Sequence, residues 1–393
     1  MKKGVAMILQ DVCELIADCP HSTAKDEGEG YPLIRTPNIG KGRLILEGVH
    51  RVSKEVYERR NSRATPRVDD IIFAREAPAG NAAIILEGQR VCLGQRTVLI
   101  RPNIDSVYPK FLVYYILAPQ QQYKLLGGAN GATVAHVNLP IIRSMTIDLP
   151  AMDVQVKMAE ILSAYDNLID NNRRQIVLLE EAAQRLYREW FVDLRFPGYE
   201  NTKIVDGVPE GWEEKQLSDF ADVVMGQSPK SEFYNREKRG LPFHQGVGGY
   251  GDRFVKDETY STAYTRVAEA GSILFSVRAP VGRLNLTKHR VVIGRGLSAI
   301  NHKDGLQSFL YYLLKGRFFK DNIIGNGSIF ASINKEELLS QAFLIPTHDV
   351  VCKFDHISSA IDRRIDALDV QTKMLMEARD RLLPKLMSGE IAV

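Results

Sequence analysis

Arginine offers two parallel N–H donors that match the O6 and N7 edge of guanine, and glutamine offers a donor and an acceptor that match adenine. Arg35 and Gln245 fall at the same place in two stretches of this chain that count in parallel. Pro32 aligns with Pro242 at an offset of 210, which sets Arg35 over Gln245 and Arg43 over Arg253. Residues shared between such stretches suit scaffold or phosphate contact; basic or amide residues that differ suit base reading. On that rule Arg35 and Gln245 are the first candidates for base readers, with Asn38 and His244 beside them. Arg75 (facing Val277), Arg278 (facing Glu76), and Gln95 and Arg96 (facing Arg295 and Gly296) come second. Arg43 and Arg253 are shared and are assigned to phosphates or to structure. Lys41 and the segment Lys230, Tyr234, Arg236, Lys238 and Arg239 suit backbone contact. Plainer alternatives stay open: a turn-stabilising hydrogen bond at 35 and 245, and a solvated loop at 230–239.

No catalytic or metal-binding residue is proposed. The chain has no G-x-x-x-x-G-K-[ST] phosphate loop and no Asn-Pro-Pro-Tyr-like methyltransferase signature. Its eight histidines do not pair at metal-ligand spacing, and Cys13, Cys19, Cys92 and Cys352 are scattered, as expected of a reduced cytoplasmic protein. Glu213-x-Lys215 after Asp206 has a faint nuclease-core likeness, but it lies at a linker.

The parallel counting extends through the chain. DDIIFAREAPAGNAAI at 69–84 matches GSILFSVRAPVGRLNL at 271–286 at an offset of 202, with Phe73 over Phe275, Ala77-Pro78 over Ala279-Pro280 and Gly80 over Gly282. From Asn130-Gly131 over Asn326-Gly327 the offset holds at 196, through Asp166 over Asp362 to Arg185-Leu186 over Arg381-Leu382. The chain therefore reads as two diverged copies of one unit of roughly 195 residues.

Composition fits a soluble globular protein, with 45% hydrophobic residues and no run long enough to span a membrane. The net charge of +3 is unevenly spread: residues 1–150 and 211–346 carry +4 each, while 151–210 and 347–393 carry −4 and −1. Each copy has a basic globular part, suited to a polyanion, and an acidic trailing part.

The elements that must position these residues follow from periodicity. The first ~150 residues of each copy alternate short β-type runs with Gly/Pro/Asn turns, and add a helix over KFLVYYILAPQQQYKLL or SFLYYLLKGRFFKDNI. The trailing parts carry a coiled-coil seam: Leu162, Tyr165, Ile169, Ile176, Leu179 and Leu186 in the first, Ile361, Ile365, Leu368, Leu375 and Leu382 in the second. Asn172, Ser358, Thr372 and Arg379 are polar at seam positions. Asp153 and Asp349 are expected N-caps, and Pro197 and Gly389 lie just beyond the helix ends. The expected divisions are a domain at 1–150, a helix at 151–196, a linker at 197–211, a domain at 212–346, and a helix with tail at 347–393. Connectivity favours an antiparallel helix pair and an approximate two-fold axis.

Several phrases resemble the specificity subunit of type I restriction-modification systems along the whole chain. They are VPEGWEEKQLSDFADVVMGQSP, YPLIRTPNIGKGR, LPFHQGVGGYGDRF, ILFSVRAPVGR, YREWFVDLRFPG and LLPKLMSGEI. The resemblance implies an α+β fold in which two strand-rich α/β target-recognition domains are separated by an antiparallel pair of long coiled-coil helices. It implies a non-catalytic subunit that reads a bipartite double-stranded DNA target and binds two methylation subunits, joined by restriction and translocase subunits. This chain would hold no cofactor; S-adenosylmethionine and ATP with Mg would belong to partner subunits. The Glu-Gln common at helix starts in the family reads Val154-Gln155 and Val350-Val351 here. The alternatives are a recognition subunit of a related two-subunit restriction-methylation system, and a scaffold that binds only protein.

Overall fold

The computed structural model describes residues 5–127, 136–318 and 332–393. It forms two compact units, residues 1–174 with 369–393, and residues 175–368. The divisions expected from sequence separate domains from helices. The compact units each contain one strand-rich domain and part of both long helices. The turn pairs Asn130-Gly131 and Asn326-Gly327 lie outside the described residues.

In the first unit a five-stranded sheet runs in the order Cys13–Asp18, Thr97–Pro102, Ile71–Ala74, Ala82–Ile84, Gly42–Arg43. Its central strands, IIFA and TVLIRP, are buried along nearly their whole length, so both faces of the sheet are covered. A second sheet pairs Arg51–Val52, Tyr31–Ile34 and Cys92–Leu93. The second unit repeats the plan. Ala221–Met225, Leu297–His302, Ile273–Ser276 and Leu284–Leu286 form one sheet, and a five-stranded sheet contains Leu241–His244 beside Val291–Ile293.

Register confirms the duplication at the level of atoms. Leu33 and Ile34 pair in parallel with Cys92 and Leu93; Phe243 and His244 pair in parallel with Val292 and Ile293. These pairs are related by the offsets 210 and 200, so Arg35 and Gln245 leave equivalent strands at equivalent points. Both repeated Ala-Pro bonds are cis, and Gly80 and Gly282 follow at φ of 91° and 88°. Glycine is needed at Gly80 for its left-handed backbone, and a side chain there would also have to displace the Gln122 amide, 2.3 Å from the Cβ position.

The counting fails by one residue at Arg43. The bridges Ile39–Leu44 and Tyr250–Val255, and the parallel pairings of Arg43 with Ile84 and Phe254 with Leu286, set Arg43 opposite Phe254 and Gly42 opposite Arg253. The second copy has one extra residue between Gln245 and Tyr250.

KFLVYYILAPQQQYKLL is two helices, Pro109–Leu117 and Pro119–Gly127. Pro119 disfavours helical backbone at the residue before it, and Ala118 is extended at ψ 137°. The long helices span Met152–Phe191 and His348–Ser388. Asp153 and Asp349 therefore lie inside the first turn, where a carboxylate meets the positive end of the helix dipole, and are not caps. Gly389, at φ 75°, closes the second helix. Leu194, at φ 56°, does the corresponding work after the first.

Every predicted seam residue is buried or half-buried. Within the first unit, Arg379 bonds Asp166 at 2.6 Å and Asn172 bonds Gln371 at 3.1 Å; partner numbers fall as residue numbers rise, so the helices run antiparallel. Within the second, Gln175 accepts from Arg364, and Tyr187 and Trp190 meet Phe354. Phe354 is fully buried among Tyr187, Trp190, Phe191, Phe309 and Tyr312. Among the described residues no helix is long and apolar enough to cross a membrane. Phe354→Ala should cost about 3–5 kcal/mol, because the surrounding rings cannot collapse into the space. Denaturant unfolding checks this, with a lowered midpoint and an unchanged slope expected.

Candidate nucleic-acid interface

Arg35 begins where the strand Tyr31–Ile34 ends. Its backbone N–H donates to Asn38 Oδ1 at 3.1 Å, which turns the chain into the short 3-10 segment Thr36–Asn38. Gly94 donates its N–H to Ile34 O at 2.7 Å, so the 94–96 turn lies beside the Arg35 stem. A Cβ at Gly94 would stand 2.9 Å from Arg35 Cγ. The Arg35 Nε is buried without a hydrogen-bond partner. It borders a cavity of about 290 Å³ lined also by Thr23, Arg60, Gln95 and Arg96. The Arg35 side chain thus lines the cavity while its Nε lies beneath the surface.

Gln95 and Arg96 also border a second cavity of about 300 Å³, with His21, Arg75, Glu76 and His136. Here polar groups interlock. Arg75 donates to Asp18 at 2.8 Å and to Val137 O at 3.0 Å, and its other amino group is 2.9 Å from His136 Nε2. Glu76 is held between His136 Nδ1 at 2.5 Å and Arg96 at 2.8 Å. Arg96 stays 61% exposed and adopts φ 64°. Arg75 is consumed by this web, whereas Arg96 projects from it.

The second unit presents a simpler surface. Gln245 is exposed, and its Oε1 accepts from Ser228 at 2.9 Å. Arg295 and Arg278 are exposed. Where the first unit has Arg75, the second has buried Val277, and Ser332 stands where the first has His136.

Several predicted contacts are interior groups. Asn38 is buried, with Oδ1 on Arg35 N–H and Nδ2 on Ile45 O; it is spent on the turn. His244 is buried and held by Asp257 at 3.1 Å. Arg253 is 3% exposed, bonded to Asp362 at 2.5 Å and Glu180 at 3.2 Å. Arg43 faces the first long helix, meeting Asn167 at 2.9 Å and Asp170 at 3.4 Å. Tyr234 stacks on Phe243 and donates to Pro229 O. Asn38, His244 and Arg253 are thus buried and Arg43 and Tyr234 half-buried, each with a partner inside the protein. Lys41, Lys230, Arg236, Lys238 and Arg239 are exposed.

His21 and His136 line the second cavity beside Glu76 and were not among the residues picked out from sequence. They lie far apart in sequence, and the only signal pointing their way was the mismatch of Arg75-Glu76 with Val277-Arg278. Arg60 was also missed. It is buried and donates to Leu93 O at 2.6 Å and Ser22 O at 2.9 Å, which ties the 20–24 loop to the cavity rim. Burial pushes the Cys13 thiol up to about 12 and the Cys92 thiol up to about 11, so neither supplies a thiolate.

The family model for the type I restriction modification DNA specificity domain matches residues 2–181 and 209–364. A Methanocaldococcus jannaschii protein with the provisional name type I restriction enzyme MjaX specificity subunit is 28% identical, over 98% of this chain and 93% of its own. The HindI specificity subunit of Haemophilus influenzae is 22% identical over 82% of this chain and 86% of its own. A solved type I restriction-modification S subunit from M. genitalium shares the fold, with a TM-score of 0.58 at 15% identity over 97% of this chain and 95% of its own.

Arg60→Met should leave carbonyls of the 20–24 loop and Leu93 without their donor, at a cost of about 1–3 kcal/mol. Chemical denaturation gives the cost, and faster amide exchange in 21–24 is the local signature expected.

Proposed function

The chain belongs to the type I restriction-modification DNA specificity family and is a specificity subunit, and we propose that its two domains each read one half of a split double-stranded DNA target while its helices hold two methylation subunits. The observation that carries the reading is the equivalence of Arg35 and Gln245: one backbone position in two copies of one domain, with side chains suited to different bases. The Arg35 side chain lines a cavity, Arg96 is exposed on the turn packed beside it, and Arg278 and Arg295 are exposed in the second unit. Lys41, Lys230, Arg236, Lys238 and Arg239 supply the phosphate contacts. In this reading the chain carries no catalytic group. S-adenosylmethionine, ATP and Mg act in partner subunits, and free cysteines at 13, 19, 92 and 352 suit a cytoplasmic setting.

The helices offer matching docking points. Leu178 and Met374, related by the repeat offset of 196, are 63% and 66% exposed. Their matched positions, one on each helix, are where this reading seats two equivalent partner subunits.

Arg35→Ala and Gln245→Ala should each relax one base pair, in opposite halves of the target, at about 1–3 kcal/mol. Lys230→Ala should weaken every sequence alike and lower the salt slope by about one. Affinity for every single-base variant of the target at two salt concentrations separates the two classes. Leu178→Glu and Met374→Glu should each remove one methylation subunit, and the double substitution both, as read from the mass of the assembled complex.

A further inference from the structure

The two helices carry aspartates at matched positions, Asp166 and Asp170 on the first and Asp362 and Asp366 on the second, each pair at the repeat offset of 196. Their cations come from unmatched places. In the first unit Asp166 is 2% exposed and bonds Arg379 of the second helix at 2.6 Å, with Tyr114 Oη donating at 2.6 Å. Gly42 backs onto this carboxylate: a Cβ there would stand 3.2 Å from Asp166 Oδ2. In the second unit the position matching Gly42 is Arg253, which bonds Asp362 at 2.5 Å, while Tyr312 Oη and Ser308 Oγ donate to the same carboxylate at 2.8 and 2.6 Å. The position matching Arg379 is Ala183, which is fully buried. Asp170 and Asp366 repeat the exchange. Asp170 takes Arg43, and Asp366 takes Lys288, whose ammonium also lies 4.0 Å from the ring of Phe254, the residue that replaces Arg43.

Asp166, buried, and Asp362, half-buried, thus each have one arginine partner, and the arginine that one copy uses is absent from the other. We propose that this exchange is a pairing code: the half ending in the first helix can bury its aspartate only against the half ending in the second helix, and not against another copy of itself. Two first halves would set Asp166 opposite Ala183 and Gly42, with no guanidinium at either junction. Two second halves would crowd Arg253 and Arg379 onto one Asp362. An uncompensated buried charge is strongly unfavourable, and so is a second guanidinium in a space already filled. The code lets two diverged copies close on each other without self-pairing, whatever DNA each domain reads.

The test uses the full chain with a protease site placed in the exposed 198–201 segment, cut after folding so that the halves stay bound. The cut protein is unfolded, refolded, and its pairs counted by native mass spectrometry. Unlike pairs should exceed like pairs by about 100-fold, on the scale of an unpaired buried charge. Ala183→Arg with Arg253→Gly gives both helices the same code. That variant should lose most of the preference while recovering the thermal midpoint lowered by Arg253→Gly alone. Asp166→Leu with Arg379→Met, which removes one lock by apolar replacement, should let first halves pair with themselves even if the other variant fails to fold. Abundant like pairs in the wild type, or an undiminished preference in the variants that fold, overturns the proposal.

Discussion

A carboxylate buried without a cation or a full set of donors is too costly to keep charged, so wherever a fold buries one, its surroundings are constrained. Asp166, which is buried, and Asp362, which is half-buried, set that constraint here. Each lies on a long helix, and each is met by a tyrosine from the short helix that packs on the domain's sheet and by an arginine. Burial, reinforced by the adjacent aspartate, pushes the Tyr114 phenol up; burial and Asp362 do the same for Tyr312, with Arg253 opposing. Both phenols therefore stay protonated donors. Burial works against the charge of Arg379, but its bonds to Asp166 and Asp380 outweigh that and hold it above the usual guanidinium value. In each unit, one carboxylate joins helix to domain.

This arrangement lets the reading surface vary. The residues that differ between copies, Arg35 against Gln245 and the Arg75–Glu76–His136 web against Val277, Arg278 and Ser332, lie on turns at strand ends. The strands beneath keep one register in both units. Side chains on turns can be exchanged without disturbing a ladder, whereas a change within Ile71–Ala74 or Ile273–Ser276 would meet close-packed neighbours on both faces.

Much of the fold was legible because it rests on periodicity. The seam from Leu162 to Leu186 and from Ile361 to Leu382 repeats with steps of three and four, and a helix has no other way to bury such a stripe. The repeated Phe, Ala-Pro and Gly marked one turn twice because the same backbone path imposes the same residue types. The equivalence of Arg35 and Gln245 was also legible, since a proline three residues earlier anchors the count in both copies. The helix break at Pro119 could have been read from the residue preference before proline, and was overridden by an apolar run continuing past it.

What the sequence by itself determined was therefore the duplication, the two helices and their polar seam positions, and the turn from which the first candidate reader projects. The tertiary structure decided which arginines are spent inside. Arg43 and Arg253 look alike in a count of residues, yet a single inserted residue shifts Arg253 onto the place of Gly42 and aims it at Asp362. No local pattern reports this. The energy of a guanidinium depends on the carboxylate it meets, and here that carboxylate lies 109 residues away in the chain.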